Sequence, residues 1–442
     1  MRIFLQNRIN LLEMITILLY NLMFLFQGYF NKILVISGGM LFFLFFILSK
    51  RKKYSITERL TILLCIYIPT SFTSVLATSY GSLPLTWFNL TLIMLYVLIL
   101  FRKFKKSFYF FSPFVMIFYG LYSFLINEDL MDPFKQLMTI VLFLISFFVG
   151  EYLRKFSNKR FLEIINQYYI LSIILYCISI IIQAFMYNRF GIRVGYFDII
   201  GNNRIVMAGL MNDYSFGSLF IATGMIVYLI EYMEEKKIST YKFLFIEILM
   251  FFSILKVNSR TGLFAFLIIS LFYFIYKRNF KSILILLCLF ITIPFILNIV
   301  AKQRGGQALL STSGRINLNK IAIENFANNI LLGVGLGVGR WRMLNGVVLP
   351  HNLITQYLAQ LGLIGSLIFH SNFVVLFIKY IRYKSLYLWP IIVTLIGAMA
   401  IPDIVSSRFL SVLVILAIIS SKKFKVKYTK DGRYEKSRKI NV

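Results

Sequence analysis

Charge is what this sequence has least of. Asp, Glu, Lys and Arg make up 14% of its 442 residues, little more than half of what a soluble domain carries. With 59% of residues hydrophobic and 17% aromatic, that scarcity excludes a soluble globular class and points to an integral membrane protein. Acidic residues are scarcer still, 17 against 47 Lys and Arg, for a formal net charge of +30. In a soluble protein such an excess suggests nucleic acid. In a membrane protein it follows from basic cytoplasmic loops, so no nucleic-acid partner is expected and the placement of the charges carries the information. Histidine occurs twice, at His351 and His370, too few and too far apart for a metal cluster, and neither metal nor cofactor is expected. The three cysteines, Cys65, Cys177 and Cys288, each fall inside an apolar run, which argues against a disulfide framework.

What is there is apolar sequence in lengths of about 16–25 residues, enough to cross a hydrocarbon core roughly 30 Å thick. The runs lie at 11–30, 33–49, 60–78, 84–101, 108–126, 134–151, 162–186, 213–232, 243–256, 261–276, 282–300, 351–378, 386–400 and 405–420. They predict an all-α, polytopic transmembrane helix bundle of 12–14 spans, about 14, because four of the runs are short. Residues 1–420 read as one bundle and 421–442 as a basic tail at the membrane surface. Arg2 and Arg8 precede the first run with no small-residue cleavage site after it, so a retained first span is expected.

With the N-terminus inside, the inside segments hold 33 of the 47 Lys and Arg, including KRKK at 50–53, RKFKK at 102–106 and RKFSNKR at 154–160. The acidic loop NEDLMD at 127–132 then falls outside. This asymmetry predicts a multi-pass protein of the cytoplasmic membrane with both termini in the cytoplasm.

Against that background one interval stands apart. Residues 301–350 hold Lys302, Arg304, Arg315, Lys320, Arg340 and Arg342, then the glycines Gly333, Gly335, Gly337 and Gly339, and His351 follows at once. A second outside segment, 187–212, holds Arg189, Arg193 and Arg204, and the short turn KVNSR at 256–260 adds Lys256 and Arg260 to the same face. Cations retained outside oppose the positive-inside trend, and a bound anion is the simplest reason for them. A phosphate carried on a lipid tail fits a site at the membrane surface, since guanidinium forks grip phosphate while the tail stays in the bilayer. The run GVGLGVG allows two roles: its amides form a phosphate nest at Gly335 and Gly337, or it is a structural turn. It is no dinucleotide fingerprint, for no βαβ unit surrounds it.

SRTG at 259–262, SGR at 313–315 leading into an amphipathic segment that ends in GVGLGVG, and HN at 351–352 before LGLIG at 361–365 together resemble the bacterial O-antigen ligase/polymerase family, which includes capsular and exopolysaccharide repeat-unit polymerases. The motif-bearing part runs over roughly 190–370. The resemblance implies a metal-independent membrane glycosyltransferase that moves glycan from an undecaprenyl-diphosphate-linked oligosaccharide to an acceptor at the outer face of the cytoplasmic membrane. It matches Arg260, Arg315 and His351 to catalytic positions. Arg204 matches a substrate-binding position, beside Arg193, Lys256, Gly335, Gly337 and Asn352 as further substrate contacts. The match is imperfect: Leu318 and Asn319 stand where the family often has Trp, and Ile330 where Pro commonly follows Asn.

Partners implied by the resemblance are membrane lipids, a chain-length regulator and a flippase of the same pathway. His351 serves either as the base that takes the acceptor proton or, as imidazolium, as a phosphate binder. Glu324 and Asp213 are rival outward carboxylates. Two other activities stay open: a ligase that moves finished polymer to lipid A core or a cell-wall glycan, and a lipid-oligosaccharide flippase. A flippase needs ionisable residues along a mid-membrane cavity, whereas the unexplained cations here collect outside. His370 lies about 28 Å further along its helix at 1.5 Å per residue and stands apart from the site. Gly362 and Ser366, four apart, suggest close helix packing, and Ile316, Ile323 and Phe326 a helix lying on the membrane.

Overall fold

A computed structural model of the chain describes residues 9–76, 85–102, 107–200, 204–235, 238–277, 314–381 and 385–421. The apolar run at 282–300, Cys288, the stretch 301–313 with Lys302 and Arg304, Lys236 and Lys237, Arg2 and Arg8, and the tail from Lys422 lie outside the described residues. The described chain is an all-α polytopic bundle with one small sheet. Its helices are α1 Leu11–Leu25, α2 Lys32–Ser49, α3 Ile56–Ile66, α4 Trp87–Leu100, α5 Phe108–Leu125, α6 Met131–Phe156, α7 Lys159–Phe190 and α8 Tyr214–Glu235. After these come α9 Thr240–Val257, α10 Arg260–Lys277, α11 Arg315–Asn328, α12 Val338–Asn345, α13 Leu353–Ile381, α14 Leu388–Ala398 and α15 Phe409–Ser420.

Every apolar run on described residues overlaps one of these helices. Length and hydropathy suffice for α2, α5, α6, α7, most of α8 and most of α13 to cross a membrane. Side-chain caps fix where several of them begin: Asn31 for α2, a Ser55–Glu58 capping box for α3, Thr86 for α4 and Asn158 for α7. The run at 60–78 is a correction. Helix α3 stops at Ile66 because Pro69 and a Thr–Ser cluster follow, and residues 67–76 turn irregularly inside the bundle. There the Thr70 hydroxyl hydrogen-bonds Tyr20 and the Phe72 carbonyl accepts from Asn212, as irregular backbone must be satisfied where lipid offers no partner.

Helix α15 is the axis. Phe409 through Ile419 are all buried, and a helix apolar on every side belongs inside a bundle. It packs on α6, α7, α14 and α3, while α2 and α5 keep wide apolar faces exposed. At one end, here called upper, α6, α8, α10, α13 and α15 begin and α7, α9 and α14 finish. The basic segments at 50–53, 154–160 and Lys379 gather at the other end, where Lys50 pairs with Glu13 and Lys379 with Glu151.

The upper segment 187–212 is a β-hairpin where the sequence suggested only a loop: β1 Tyr196–Ile200 pairs antiparallel with β2 Arg204–Gly209. Gln183 of α7 pins it, donating to the carbonyls of Val194 and Tyr196 and accepting from the Gly209 amide. Buried and fully used, this glutamine replaces solvent for three backbone groups at the hairpin's base.

Candidate functional site

The polar interval does not lie flat on the bundle; part of it is inserted. Helix α13 is broken at Gly362, whose φ is 62° and ψ −167°, a conformation open to glycine and costly for other residues. The break strands carbonyls above it and amides below it, and residues 330–335 satisfy them. Amides of Val334 and Gly335 donate to the carbonyls of Ala359 and Gln360, at 2.9 and 3.0 Å, and the Leu363 amide donates to the Ile330 carbonyl at 2.7 Å. Tyr119 of α5 donates its hydroxyl to the Leu332 and Leu361 carbonyls. A Cβ on Gly362 would stand 2.4 Å from the Leu331 carbonyl oxygen. Gly362 therefore opens the helix for this segment, a correction to the helix-packing role expected of it.

The rest of the glycine run is lashed to α6 and α5. Leu336 N–H donates to Ser123 Oγ, Gly337 N–H to Gln136 Oε1 at 2.7 Å, and Val338, Gly339 and Arg340 N–H to the Asp132 carboxylate at 3.0, 2.8 and 3.2 Å. With Gly333 donating to the Asn329 carbonyl, eight consecutive amides have protein acceptors. The amides of Gly335 and Gly337, expected as a phosphate nest, are taken by the Gln360 carbonyl and by Gln136; the protein's own Asp132 carboxylate takes the next three amides at the N-terminus of α12, where the helix dipole favours an anion. Arg340 is likewise structural, its guanidinium donating to the carbonyls of Val334 and Ile126.

On this frame α11 and α12 dock through a small core of Ala322, Val334, Trp341, Leu349 and Ala359. Trp341 Nε1 donates to the Val348 carbonyl at 3.1 Å, and Thr355 Oγ1 donates to Asn319 Oδ1 at 3.0 Å. Gly314, at φ 76°, turns the chain so that Arg315 is the first residue of α11. Asn352 caps α13, its Oδ1 accepting from the Ile354 amide at 2.9 Å. His351 immediately precedes that cap, half-buried. Burial lowers its pKa below the ordinary imidazole value, the neighbouring Arg315 guanidinium lowers it further, and a Leu349 carbonyl opposes them. Its Nδ1 is buried without a hydrogen-bond partner among the described residues. So Arg315 and His351, 36 positions apart in sequence, form one electrostatic unit. Ile316 and Ile323 of α11 are exposed, Phe326 partly so.

The other expected cations form a second group. Asn258, at φ 59°, ends α9 and donates its Nδ2 to the Ile205 carbonyl at 3.2 Å. That bond ties the turn before Arg260 to the strand that starts with Arg204. Arg260 opens α10, and two residues on, Gly262 lets α10 touch the backbone of Ser218 in α8. Lys256 is exposed in the last turn of α9, and Arg193 is exposed between α7 and β1 with its guanidinium 5.1 Å from the Phe197 ring centroid. The Arg204 side chain lies outside what is described. The structure thus joins Arg315 to His351 and the Arg204 strand to the Arg260 turn, each at the upper end. Of the rival carboxylates, Asp213 caps α8 through the amides of Ser215 and Phe216, and Glu324 is exposed on α11.

Sequence reasoning missed a third group. Between the short helices α14 and α15 the chain folds inward, and Arg408 is 1% exposed. Its Nη2 donates to Thr139 Oγ1 of α6 at 3.4 Å, while Tyr357 of α13 donates its hydroxyl to Asp403 Oδ1 at 3.3 Å. Asp403 N–H donates to Gln356 Oε1, Gln356 Nε2 to Gln360 Oε1, and Gln360 and Gln136 bond each other reciprocally. The signal was present in the glutamines at positions 356 and 360, one turn apart on an apolar helix, and in the Asp and Arg between two apolar runs. Neither stands out among charged residues at span ends. Among the described residues no group of three His, Cys, Asp or Glu side chains is placed to hold a metal.

No curated protein matches this chain. Residues 245–370 match the family model described as O-Antigen ligase, a stretch that runs from α9 through the Gly362 break and contains Arg260, Arg315, the glycine run and His351. Residues 245–370 of this multi-pass membrane protein are thus similar to an O-antigen ligase domain, in keeping with the O-antigen ligase/polymerase family that its motifs resemble.

Proposed function

We propose that the protein is a polysaccharide polymerase that transfers glycan from an undecaprenyl-diphosphate-linked donor to a lipid-linked oligosaccharide repeat unit. Transfer takes place at the upper end of the bundle, on the outer face of the cytoplasmic membrane. The observation that carries this is the Arg315–His351 unit. Arg315 is the first residue of its helix, where the macrodipole disfavours a cation and favours an anion. A diphosphate there meets a guanidinium and the helix amides together. Charge grows on the diphosphate as its bond to the anomeric carbon breaks, so donors already in place stabilise the transition state more than the ground state. Arg260 has the same first-residue position on α10, and with Arg204, Arg193 and Lys256 it supplies positive potential that draws an anionic headgroup toward this end. Asn352 caps α13 beside His351 and fixes the imidazole's approach. No metal or cofactor enters this scheme.

A ligase reading is favoured by one observation, the matched family description itself; the chemistry at the diphosphate is the same and only the acceptor differs. Purified protein incubated with an undecaprenyl-diphosphate-linked repeat unit separates the two. A ladder of products supports the polymerase, and a single transfer to an added second acceptor supports the ligase. Arg315→Ala should lower turnover by about 3–4 kcal/mol of barrier, several hundredfold, with membrane insertion unchanged. Normal chain length in that variant would reject the site.

A further inference from the structure

The Asp403–Arg408 loop is built at a cost that packing alone does not explain. Its two charged residues both adopt positive φ, Asp403 at 47° and Arg408 at 58°, and with Asn258 they are the non-glycine residues that do so among those described. A positive φ on a non-glycine residue is strained, and such strain clusters at functional sites. The helices on either side have 11 and 12 residues, about 17 Å each at 1.5 Å per residue, too short to carry the loop to the surface of the bundle. It therefore lies below the level of His351, beside Gln356 and Tyr357 in the first turns of α13. Asp403 keeps some exposure while Arg408, Tyr357, Gln356, Gln360 and Gln136 are all buried to within a few per cent. Asp403 is the least enclosed residue of an otherwise closed polar cluster.

We infer that Asp403 is the group that takes the proton of the acceptor hydroxyl, aimed by Tyr357 and by its Gln356-bonded backbone, while Arg315 and His351 attend the diphosphate. The inference rests on the glycosyl-transfer reading above. In the step, the acceptor oxygen bonds the anomeric carbon as the bond from that carbon to the diphosphate oxygen breaks. The hydroxyl proton passes to Asp403 and the electron pair departs on the diphosphate. A base needs a pKa near ambient pH, and burial pushes the Asp403 carboxyl up to about 7, against the opposing pull of Arg408 and the Tyr357 hydrogen bond. The titratable groups facing it are Tyr357 from α13 and Arg408 from its own loop, and α6 presents the neutral Thr139 and Gln136. A base form that grows as pH rises through 7 should give turnover that rises over the same interval. The division of labour also suits His351, whose neighbour Arg315 marks the phosphate side.

The test uses full-length protein in lipid nanodiscs with an undecaprenyl-diphosphate-linked oligosaccharide, measuring donor binding and turnover against pH. Asp403→Asn should lower kcat by about 10²–10⁴-fold, with donor binding intact and the rise near pH 7 abolished, and Asp403→Glu should recover part of the rate. Turnover within threefold of the parent with the same pH profile overturns the role. So does loss of turnover together with donor binding and thermal stability, unrelieved by Glu, which marks a purely structural carboxylate. Arg315→Ala run alongside reports on the underlying reading: full activity there removes glycosyl transfer at this site whatever Asp403 does.

Discussion

Arg260 and Arg315 share a position that an isolated cation avoids, the first residue of a helix. His351 adds a second sign of design at this scale. Burial and Arg315 hold it below the usual imidazole pKa, so it is neutral at pH 7 and takes a charge only when an anion joins it or the pH falls. Diphosphate binding should therefore be tighter at acidic pH, and His351→Ala should remove that dependence. A titration of donor affinity between pH 5 and 8 checks it, and an unchanged slope in His351→Ala would place the titrating group elsewhere. These residue types were legible in the sequence because guanidinium groups on the wrong face of a membrane protein need a reason. Their pairing was not, since 36 residues of chain separate Arg315 from His351.

At the scale of elements, the glycine run and the broken helix α13 are one construction. Helix α13 has to expose backbone groups at Gly362 so that residues 330–335 can cross it, and the remaining amides of the run close on Ser123, Gln136 and Asp132. Gly362→Ala should thus destabilise the protein by more than about 1 kcal/mol, since the φ is positive and the Cβ meets backbone. Asp132→Ala should cost about 1–3 kcal/mol, since it leaves the part-buried amides of Val338 and Arg340 without their acceptor. Thermal unfolding in detergent measures both, and stability equal to the parent in either would refute the lashing. A sequence pattern of alternating glycines fits a phosphate cradle and a backbone crossing equally well, because both need close approach without a Cβ. What decides is where the acceptors are, and Asp132 comes from the first turn of α6, 206 positions earlier.

For the whole molecule, the fold class followed from apolar run lengths, and each run on described residues overlaps an observed helix. The depth of individual runs did not follow. The run at 60–78 becomes an 11-residue helix and a buried turn, and α14 and α15 stop short so that a charged loop is held inside. Orientation in the membrane has a direct check. Lys53 and Arg193 are exposed at opposite ends of the bundle, and Cys65 and Cys177 are buried. In a Cys288→Ser background, Arg193→Cys should react with an impermeant thiol reagent on intact cells, and Lys53→Cys only after permeabilisation. The reverse pattern would put the site in the cytoplasm and end the proposed reaction.

The amino-acid sequence by itself determined that this is a helical membrane protein, which segments are polar, and which cations lack a reason to be where they are. All three depend on composition within short windows, which hydrophobic transfer and charge placement read locally. Only the tertiary structure decided that Gln360, Gln136 and Asp132 take the amides of the glycine run, that Gly362 opens α13, and that Asp403, Tyr357 and Arg408 meet. Those depend on which distant acceptor reaches a given donor, and in a bundle where lipid satisfies no backbone group, that pairing is settled by packing rather than by any local pattern.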